Sequence, residues 1–140
     1  MAEDAATPRQ MPGLDQDNRP FWTGGARGEL LILRCTHCAR YIHPPLPHCG
    51  NCHTPDPIPQ AVSGRGKVKS FTINHQPWVP GMQVPFVIAA IELDEQPELY
   101  VLSNVTGCPV DAVHSGMPVV VRFEQHGEIF VPLFAPESGA

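Results

Sequence analysis

Apolar and polar residues alternate through most of the second half of the chain, and this pattern predicts β-strands separated by turns. The strands are expected over residues 66–76, 86–93, 98–105, 118–124 and 128–134. The loops between them are of the lengths that favour antiparallel neighbours. Five short strands of this kind predict a small closed barrel of the OB type.

The alternation changes phase within the first of these strands. Arg65, Lys67 and Lys69 share one parity, yet Phe71 continues on that same parity. One extra residue in a strand moves all following side chains to the opposite face. A β-bulge near Ser70 is therefore predicted, because it allows both the basic residues and Phe71 to lie on suitable faces.

Four cysteines organise the first half of the chain as two Cys-x-x-Cys pairs, Cys35 with Cys38 and Cys49 with Cys52. An apolar run leads into the first pair, and the segment after that pair is expected to return antiparallel to it. Strand, cysteine turn, strand and cysteine turn is the layout of a zinc ribbon. Four thiolates complete the tetrahedral shell of Zn²⁺, so one structural zinc ion with no open coordination position is predicted.

Other uses of four cysteines agree less well with the sequence. Two disulfides need an oxidising compartment, which nothing indicates, and a thioredoxin-like site needs one pair beside a βαβ pattern. An iron–sulfur cluster also uses four cysteines, so the spacing alone leaves the metal open. Four nearby histidines are interpreted as surface residues and not as ligands: His37, His43, His48 and His53.

The remaining segments complete a mainly β fold. A short helix is expected after Asn18, with Pro20 in its first turn. Three prolines between residues 53 and 59 predict a stiff linker. The predicted organisation is a disordered or loosely attached tail (1–19), a helix with a four-cysteine zinc ribbon (20–60) and the five-stranded OB barrel (61–136).

Several apolar groups lack an obvious place in a small barrel. Residues 86–91 and 129–134 are apolar on both parities, which predicts a cover over their outer face. The cover is either the ribbon or N-terminal segment of this chain, or a partner protein. Phe21 and Trp22 likewise either pack on their own domain or dock onto a partner, and the sequence does not separate the two.

Charge argues against nucleic acid as the partner. The net charge is −5, with four basic and eight acidic side chains between residues 61 and 140, whereas phosphate contacts dominate nucleic-acid affinity. Single-stranded nucleic-acid binding remains the alternative, because OB-folds use aromatic stacking platforms. Candidates for stacking are Phe71, Trp78, Phe86 and Tyr100. Without a secretory signal or an apolar span of membrane length, a cytoplasmic protein is expected.

A set of short motifs occurs in an order and spacing that resembles one known family. They are Pro20-Phe21-Trp22, Leu33-Arg34-Cys35, Pro44-Pro45, Ser63-Gly64-Arg65-Gly66-Lys67-Val68, Ala90-Ile91-Glu92-Leu93-Asp94, Gly116-Met117-Pro118-Val119 and Pro132-Leu133-Phe134. From residue 20 to residue 136, the chain resembles the acyl-CoA-associated family in which a rubredoxin-like zinc ribbon is fused to an OB-fold.

The resemblance implies a non-catalytic accessory subunit of a thiolase-like enzyme that acts on acyl-CoA thioesters. Some members of the family bridge a thiolase and a hydroxymethylglutaryl-CoA synthase in archaea, and others join a thiolase-like aldolase in steroid side-chain degradation. In such a hetero-oligomer, Phe21 and Trp22 are expected to contact the partner. Arg65, Lys67 and Lys69 are candidates for contacts to CoA phosphates, with a solvated strand face as the alternative.

Overall fold

The computed structural model describes residues 9–137. A short helix, α1 (Arg19–Thr23), continues into a 3-10 turn at Gly24–Arg27. The strands are β1 (Leu30–Arg34), β2 (Tyr41–Ile42), β3 (Ile58–Val62), β4 (Arg65–Asn74), β5 (Phe86–Leu93), β6 (Tyr100–Val105), β7 (Pro118–His126) and β8 (Ile129–Pro136). The predicted mainly β fold with one short helix is confirmed. Within the described residues, no helix has the length and apolar character needed to cross a membrane.

Strands β4 to β8 form a closed barrel in the order β4-β5-β6-β8-β7. Neighbours are antiparallel except β6 and β8, which meet in a short parallel contact at Val105 and Phe134. Beside this contact the N–H of Thr106 donates to the Phe134 carbonyl, and the hydroxyl of Ser103 donates to the Pro132 carbonyl at 2.7 Å. The five predicted strands and the OB-type barrel are confirmed.

The predicted bulge in β4 is also confirmed. Val68 and Ser70 pair with consecutive residues of β5, so the register skips Lys69. Val68 is fully buried and Phe71, three positions later, also packs against the core. An uninterrupted strand would place these two side chains on opposite faces, so the bulge is what brings both of them inward.

The ribbon sheet has the order β2-β1-β3, and its third strand corrects the prediction of a linker through residue 59. The chain is already extended at Ile58, and β3 pairs antiparallel with the whole of β1. Pro59 is tolerated because β3 is an edge strand, where a missing N–H need not remove a ladder bond. The ribbon sheet therefore ends at Val62, and the barrel begins at Arg65.

Strand β1 connects the two parts of the molecule. Its residue Ile32 is buried in the same core as Phe21 of α1 and Phe134 of the barrel. The next residue, Leu33, belongs to a separate small cluster inside the ribbon, with Cys35. Because side chains alternate along a strand, β1 contributes to both clusters and holds the ribbon against the barrel.

The N-terminal segment differs from the predicted tail. Residues 1–8 lie outside the described residues, but Met11 and Leu14 pack with Trp22 against the outer face of β8. The β8 side chains that they contact are Ile129, Val131 and Leu133. The apolar outer face of β8 is therefore covered by this chain's own N-terminal segment, because burying those side chains outweighs the polar composition of the segment.

Arg9 attaches the beginning of this segment to the barrel. Its Nε donates to Glu124 Oε1 at 2.8 Å and its Nη1 donates to Asn104 Oδ1 at 2.9 Å. Glu124 also lies 2.8 Å from His126 Nε2. Burial raises the pKa of the Glu124 carboxyl, but the hydrogen bonds from His126 and Arg9 outweigh it, so the net shift is downward. The carboxylate form that binds Arg9 is thereby favoured.

Candidate metal centre and docking face

The two Cys-x-x-Cys pairs form two turns with the same local structure. In each turn the N–H of the first cysteine donates, at 2.9 Å, to a carbonyl just beyond the pair, that of Arg40 or Thr54. The residue after the second cysteine adopts a left-handed conformation, with φ of 66° at Ala39 and 64° at His53. This repeated geometry makes each turn present its two sulfur atoms to the same side.

The four sulfur atoms converge on one point. All Sγ atoms of Cys35, Cys38, Cys49 and Cys52 lie within 4.8 Å of one another, with 3.5 Å between Cys35 and Cys52 and 3.7 Å between Cys38 and Cys49. A zinc tetrahedron with bonds of about 2.3 Å requires sulfur separations of about 3.8 Å, whereas a disulfide requires about 2.05 Å. The four cysteines are therefore positioned to bind one metal ion, as predicted, and four thiolates leave no coordination position for a substrate.

Backbone N–H groups stabilise the thiolates of the first cysteine in each turn. The N–H groups of His37 and Cys38 donate to Cys35 Sγ at 3.4 and 3.5 Å, and that of Asn51 donates to Cys49 Sγ at 3.3 Å. Hydrogen bonds to the sulfur, the largest contribution being that of the Cys38 N–H, lower the pKa of the Cys35 thiol to about 6, although burial opposes this shift. The metal-binding form of Cys35 is thus favoured at neutral pH.

The four histidines near the cysteines are not part of the sulfur cluster. His37, His48 and His53 are exposed. His43 is largely buried, with its ring centroid 4.7 Å from that of Phe21, and its Nδ1 has no hydrogen-bond partner among the described residues. Burial lowers the pKa of His43 to about 4, so its side chain is neutral at pH 7 and serves as a packing group.

A side-chain clip fastens the ribbon to the barrel. Gln96, in the turn between β5 and β6, accepts from the N–H of Tyr41 at 2.8 Å and donates to the carbonyl of Tyr41 at 3.2 Å. Tyr41 lies in the edge strand β2, so the Gln96 amide occupies the position of a neighbouring strand. The adjacent Glu95 accepts from the N–H of Ser63 at 2.7 Å. These contacts set the position of the metal centre on the barrel, and the sequence contains no local signal for them.

Phe21 and Trp22 lie side by side but differ in accessibility. Phe21 is 6% exposed and belongs to the main core. The Trp22 ring meets it edge-on at 4.8 Å and is half-buried over β8. Packing within the chain accounts for Phe21, since its side chain has almost no surface left for a partner. Trp22 keeps an accessible edge.

That edge of Trp22 borders a groove of about 230 Å³. The groove lies between the N-terminal segment and strands β6 and β8, with Leu102 and Val131 on its apolar side and Ser103 and Arg9 on its polar side. Its volume matches one or two apolar side chains and is below the range of pockets that enclose a whole small-molecule ligand.

Arg65, Lys67 and Lys69 all project outward from β4. Arg65 forms a salt bridge with Glu137, and Lys67 lies opposite Glu92 of β5. Lys69 is the residue that the bulge leaves out of the register. Lys67 and Lys69 therefore remain the more available of the three cations, and their contact with CoA phosphates stays a prediction.

The outer face of β5 and β6 carries an exposed apolar strip. Leu102 is 76% exposed and Ile88 is 41% exposed. Leu102 pairs with Ala90, which lies two positions from Ile88 on the same face of β5. Trp78, 73% exposed, is tied to this region because its Nε1 donates to Asn74 Oδ1 at 2.9 Å at the end of β4. We call the outer surface of Ile88, Ala90 and Leu102, together with Trp78 held at the adjacent end of β4, the docking face.

The docking face occupies the strands that OB-folds commonly use to bind ligands. Residues 86–91 were also predicted to need a cover over their outer face. The described residues leave that face exposed at Ile88. Leu102 was missed because one apolar residue in an alternating strand carries no signal of its own. Leu102 faces outward because the closed barrel turns the alternate residues of β6, such as Val101, toward the core.

The aromatic residues do not form a stacking platform. Phe71 packs against the core, Phe86 and Tyr100 are half-buried, and Trp78 is the exposed one of the four candidates. Cys108 is half-buried against the core, and its thiol makes no hydrogen bond to a described histidine. Nucleic-acid binding therefore stays the alternative function, with Trp78 as the exposed candidate for stacking.

A four-cysteine ribbon packed through one strand on an OB barrel defines a class of two-module proteins. Family models match both modules. The model described as "ChsH2, rubredoxin-like zinc ribbon domain" matches residues 22–57, and the model "ChsH2, C-terminal OB-fold domain" matches residues 59–124. The chain belongs to this family of ribbon and OB-fold proteins, also called DUF35, and the resemblance noted from the motifs is confirmed.

Two curated relatives contain the same modules within longer proteins. The chain is 33% identical over 129 residues to the probable enoyl-CoA hydratase alpha subunit of Thermomonospora curvata, covering 91% of this chain and 40% of the relative. It is 40% identical over 109 residues to the 3-oxo-4,17-pregnadiene-20-carboxyl-CoA hydratase alpha subunit of Mycobacterium tuberculosis, covering 77% of this chain and 34% of the relative. The chain thus spans less than half the length of either protein.

Two further relatives align with this chain over most of the length of both proteins. A DUF35 domain-containing scaffold protein of Methanocaldococcus jannaschii is 30% identical over 98 residues, covering 69% of this chain and 68% of that protein. The solved structure described as "Ltp2-ChsH2(DUF35) aldolase" has a TM-score of 0.78 and 34% identity, covering 90% of this chain and 98% of the matched chain. Both modules are therefore shared with a relative of solved structure.

Proposed function

We propose that this protein is a non-catalytic accessory subunit that binds and supports a thiolase-like enzyme acting on acyl-CoA thioesters. The docking face carries this proposal, because Ile88 and Leu102 on the outer face of β5 and β6 and the nearby Trp78 are large apolar side chains left exposed. The names of the relatives, which include alpha subunits of CoA-thioester hydratases and an aldolase with two named components, support the acyl-CoA class.

The shape of the docking face favours a protein as its occupant. An acyl chain needs a concave site that surrounds most of its surface, whereas Ile88, Ala90 and Leu102 lie on the outer surface of a sheet. A solvent-exposed tryptophan beside aliphatic groups is typical of the centre of a protein interface. The adjacent groove beside Trp22 is large enough to receive an apolar side chain of the enzyme subunit.

The metal centre has a supporting part in this proposal. Four thiolates offer no open position for chemistry, and the ribbon is held to the barrel through β1 and the Gln96 clip. The zinc ion would therefore keep the ribbon folded against the barrel that carries the docking face. Lys67 and Lys69 are the candidates for contact with a CoA phosphate that the enzyme exposes near the docking face.

The test is capture of the enzyme by the tagged protein in an extract of its native cells. Leu102→Asp places a charge in the middle of the docking face, and we expect it to weaken complex formation by at least tenfold, since central interface residues contribute about 2 kcal/mol or more. Leu46→Asp is the matched control, because Leu46 is 48% exposed on the ribbon and lies outside the docking face.

Mass spectrometry identifies what is bound, and melting curves establish that both variants are folded. A thiolase-like enzyme held by the wild type and by Leu46→Asp, but not by Leu102→Asp, supports the proposal. Equal capture by all three would show that the docking face is not the binding surface. Wild-type protein that retains nucleic acid and no acyl-CoA enzyme would favour the alternative function. Repeating the assay with CoA and a Lys67→Ala/Lys69→Ala variant tests the phosphate contact.

A further inference from the structure

The four thiolates of the metal centre receive two different kinds of hydrogen bond. The first cysteine of each turn, Cys35 or Cys49, accepts from backbone N–H groups. The second cysteine of each turn is approached by a side chain instead. Thr54 Oγ1 lies 3.2 Å from Cys52 Sγ, and Asn51 Nδ2 donates to Cys38 Sγ at 3.7 Å. When Cys52 is a thiolate, the Thr54 hydroxyl is the only possible donor of that pair.

We propose that Thr54 and Asn51 are positioning residues of the metal centre that set how strongly and how long the ion is retained. Four thiolates around a divalent cation leave a net charge of −2 that nearby donors must disperse. Cys38 is exposed and Cys52 is half-buried, whereas Cys35 and Cys49 are buried. The two side-chain donors thus serve the two sulfur atoms that water and acid reach most easily.

The two turns are unequal in this respect although their backbones match. His37 and Arg40 occupy the positions in the first turn that Asn51 and Thr54 occupy in the second, but neither donates from its side chain to a sulfur atom in the described residues. Asn51, in contrast, reaches across from the second turn to Cys38 of the first. The second turn therefore supplies both side-chain donors, one of which also connects the turns.

The decisive comparison is between substitutions that remove or keep the Thr54 hydroxyl. Thr54→Val preserves the shape of the side chain and leaves the backbone carbonyl that accepts from Cys49 in place, while Thr54→Ser keeps the hydroxyl. The full chain is loaded with Zn²⁺, and transfer of the ion to a chromogenic chelator is followed at constant pH. Loss of such an outer-shell partner typically weakens metal affinity about 10- to 100-fold, so Thr54→Val is expected to raise the apparent Kd for Zn²⁺ about tenfold.

Thr36→Val is the matched control, because Thr36 is an exposed residue of the first turn and its hydroxyl makes no hydrogen bond in the described residues. It should leave the Kd for Zn²⁺ unchanged, and Thr54→Ser should match the wild type. Asn51→Ala is expected to have a smaller effect than Thr54→Val, since its bond to sulfur is longer. Co²⁺ absorption in every variant should retain the spectrum of four thiolate ligands, which shows that the ligand set itself is intact.

The proposal fails if Thr54→Val retains zinc as well as the wild type, or if Thr54→Ser releases zinc as readily as Thr54→Val. If Thr54→Val does not load metal at all, Thr54→Ala is compared with Thr54→Ser. These two residues differ only by the hydroxyl oxygen, so equal zinc retention by both would likewise overturn the proposal.

Discussion

His43 is expected to make the stability of this protein depend on pH. Its imidazole is largely buried against Phe21, and its Nδ1 has no hydrogen-bond partner in the part of the chain that the structure describes. Burial lowers the pKa of His43 from 6.5 to about 4. Between these two values the unfolded chain binds a proton at this residue and the folded chain does not. The free energy of unfolding must therefore rise with pH across the window and fall as the solution is acidified.

The size of the effect follows from the two pKa values. A depression from 6.5 to about 4 corresponds to a loss of about 3 kcal/mol once the pH is below both values. Acidification from pH 7 to pH 5.5 alone should remove about 1 kcal/mol through His43. His43→Phe keeps an aromatic ring against Phe21 but cannot be protonated, so it should lack this contribution.

Urea unfolding of both proteins at several pH values between 7 and 5.5, followed by tryptophan fluorescence, measures the difference. The thiolate site also loses stability in acid, but it does so equally in both proteins, so the difference between them isolates His43. His75→Phe, at an exposed position, is the matched control and should keep the wild-type slope. The reasoning is refuted if His43→Phe loses as much stability between pH 7 and 5.5 as the wild type.

Two other perturbations address the connection between metal, ribbon and barrel. Cys38→Ser removes one of four ligands, and because a structural zinc contributes about 10–16 kcal/mol in zinc-finger peptides, the ribbon should lose its metal and its β2 pairing. Metal analysis and amide hydrogen exchange check this, and a variant that stays folded and keeps its partner would contradict it. Gln96→Ala removes both bonds to Tyr41 and should lower the free energy of unfolding by about 1–2 kcal/mol in urea titrations. Gln76→Ala, at an exposed site, is its control, and equal midpoints for the two variants would contradict the role of the clip.

The sequence by itself determined the features that depend on nearby residues. The spacing of Cys35, Cys38, Cys49 and Cys52 specified a metal site, because each pair needs only a tight turn to direct two sulfur atoms to one ion. The alternation of apolar residues specified the five barrel strands. The change of phase at Ser70 specified the bulge, since only an inserted residue can turn the following side chains to the other face.

The tertiary structure decided whatever depends on residues distant in sequence. The proline-rich approach to β3 argues against a strand, and only its place at the sheet edge beside β1 makes the extended pairing possible. Met11 and Leu14 lie in a stretch without apolar periodicity, and only the apolar outer face of β8 gives them a surface to cover. The Gln96 clip and the exposure of Leu102 likewise depend on how the barrel closes and which parity it turns outward. Local sequence specifies turns and alternation, whereas covered and open surfaces follow from which segments meet in the folded chain.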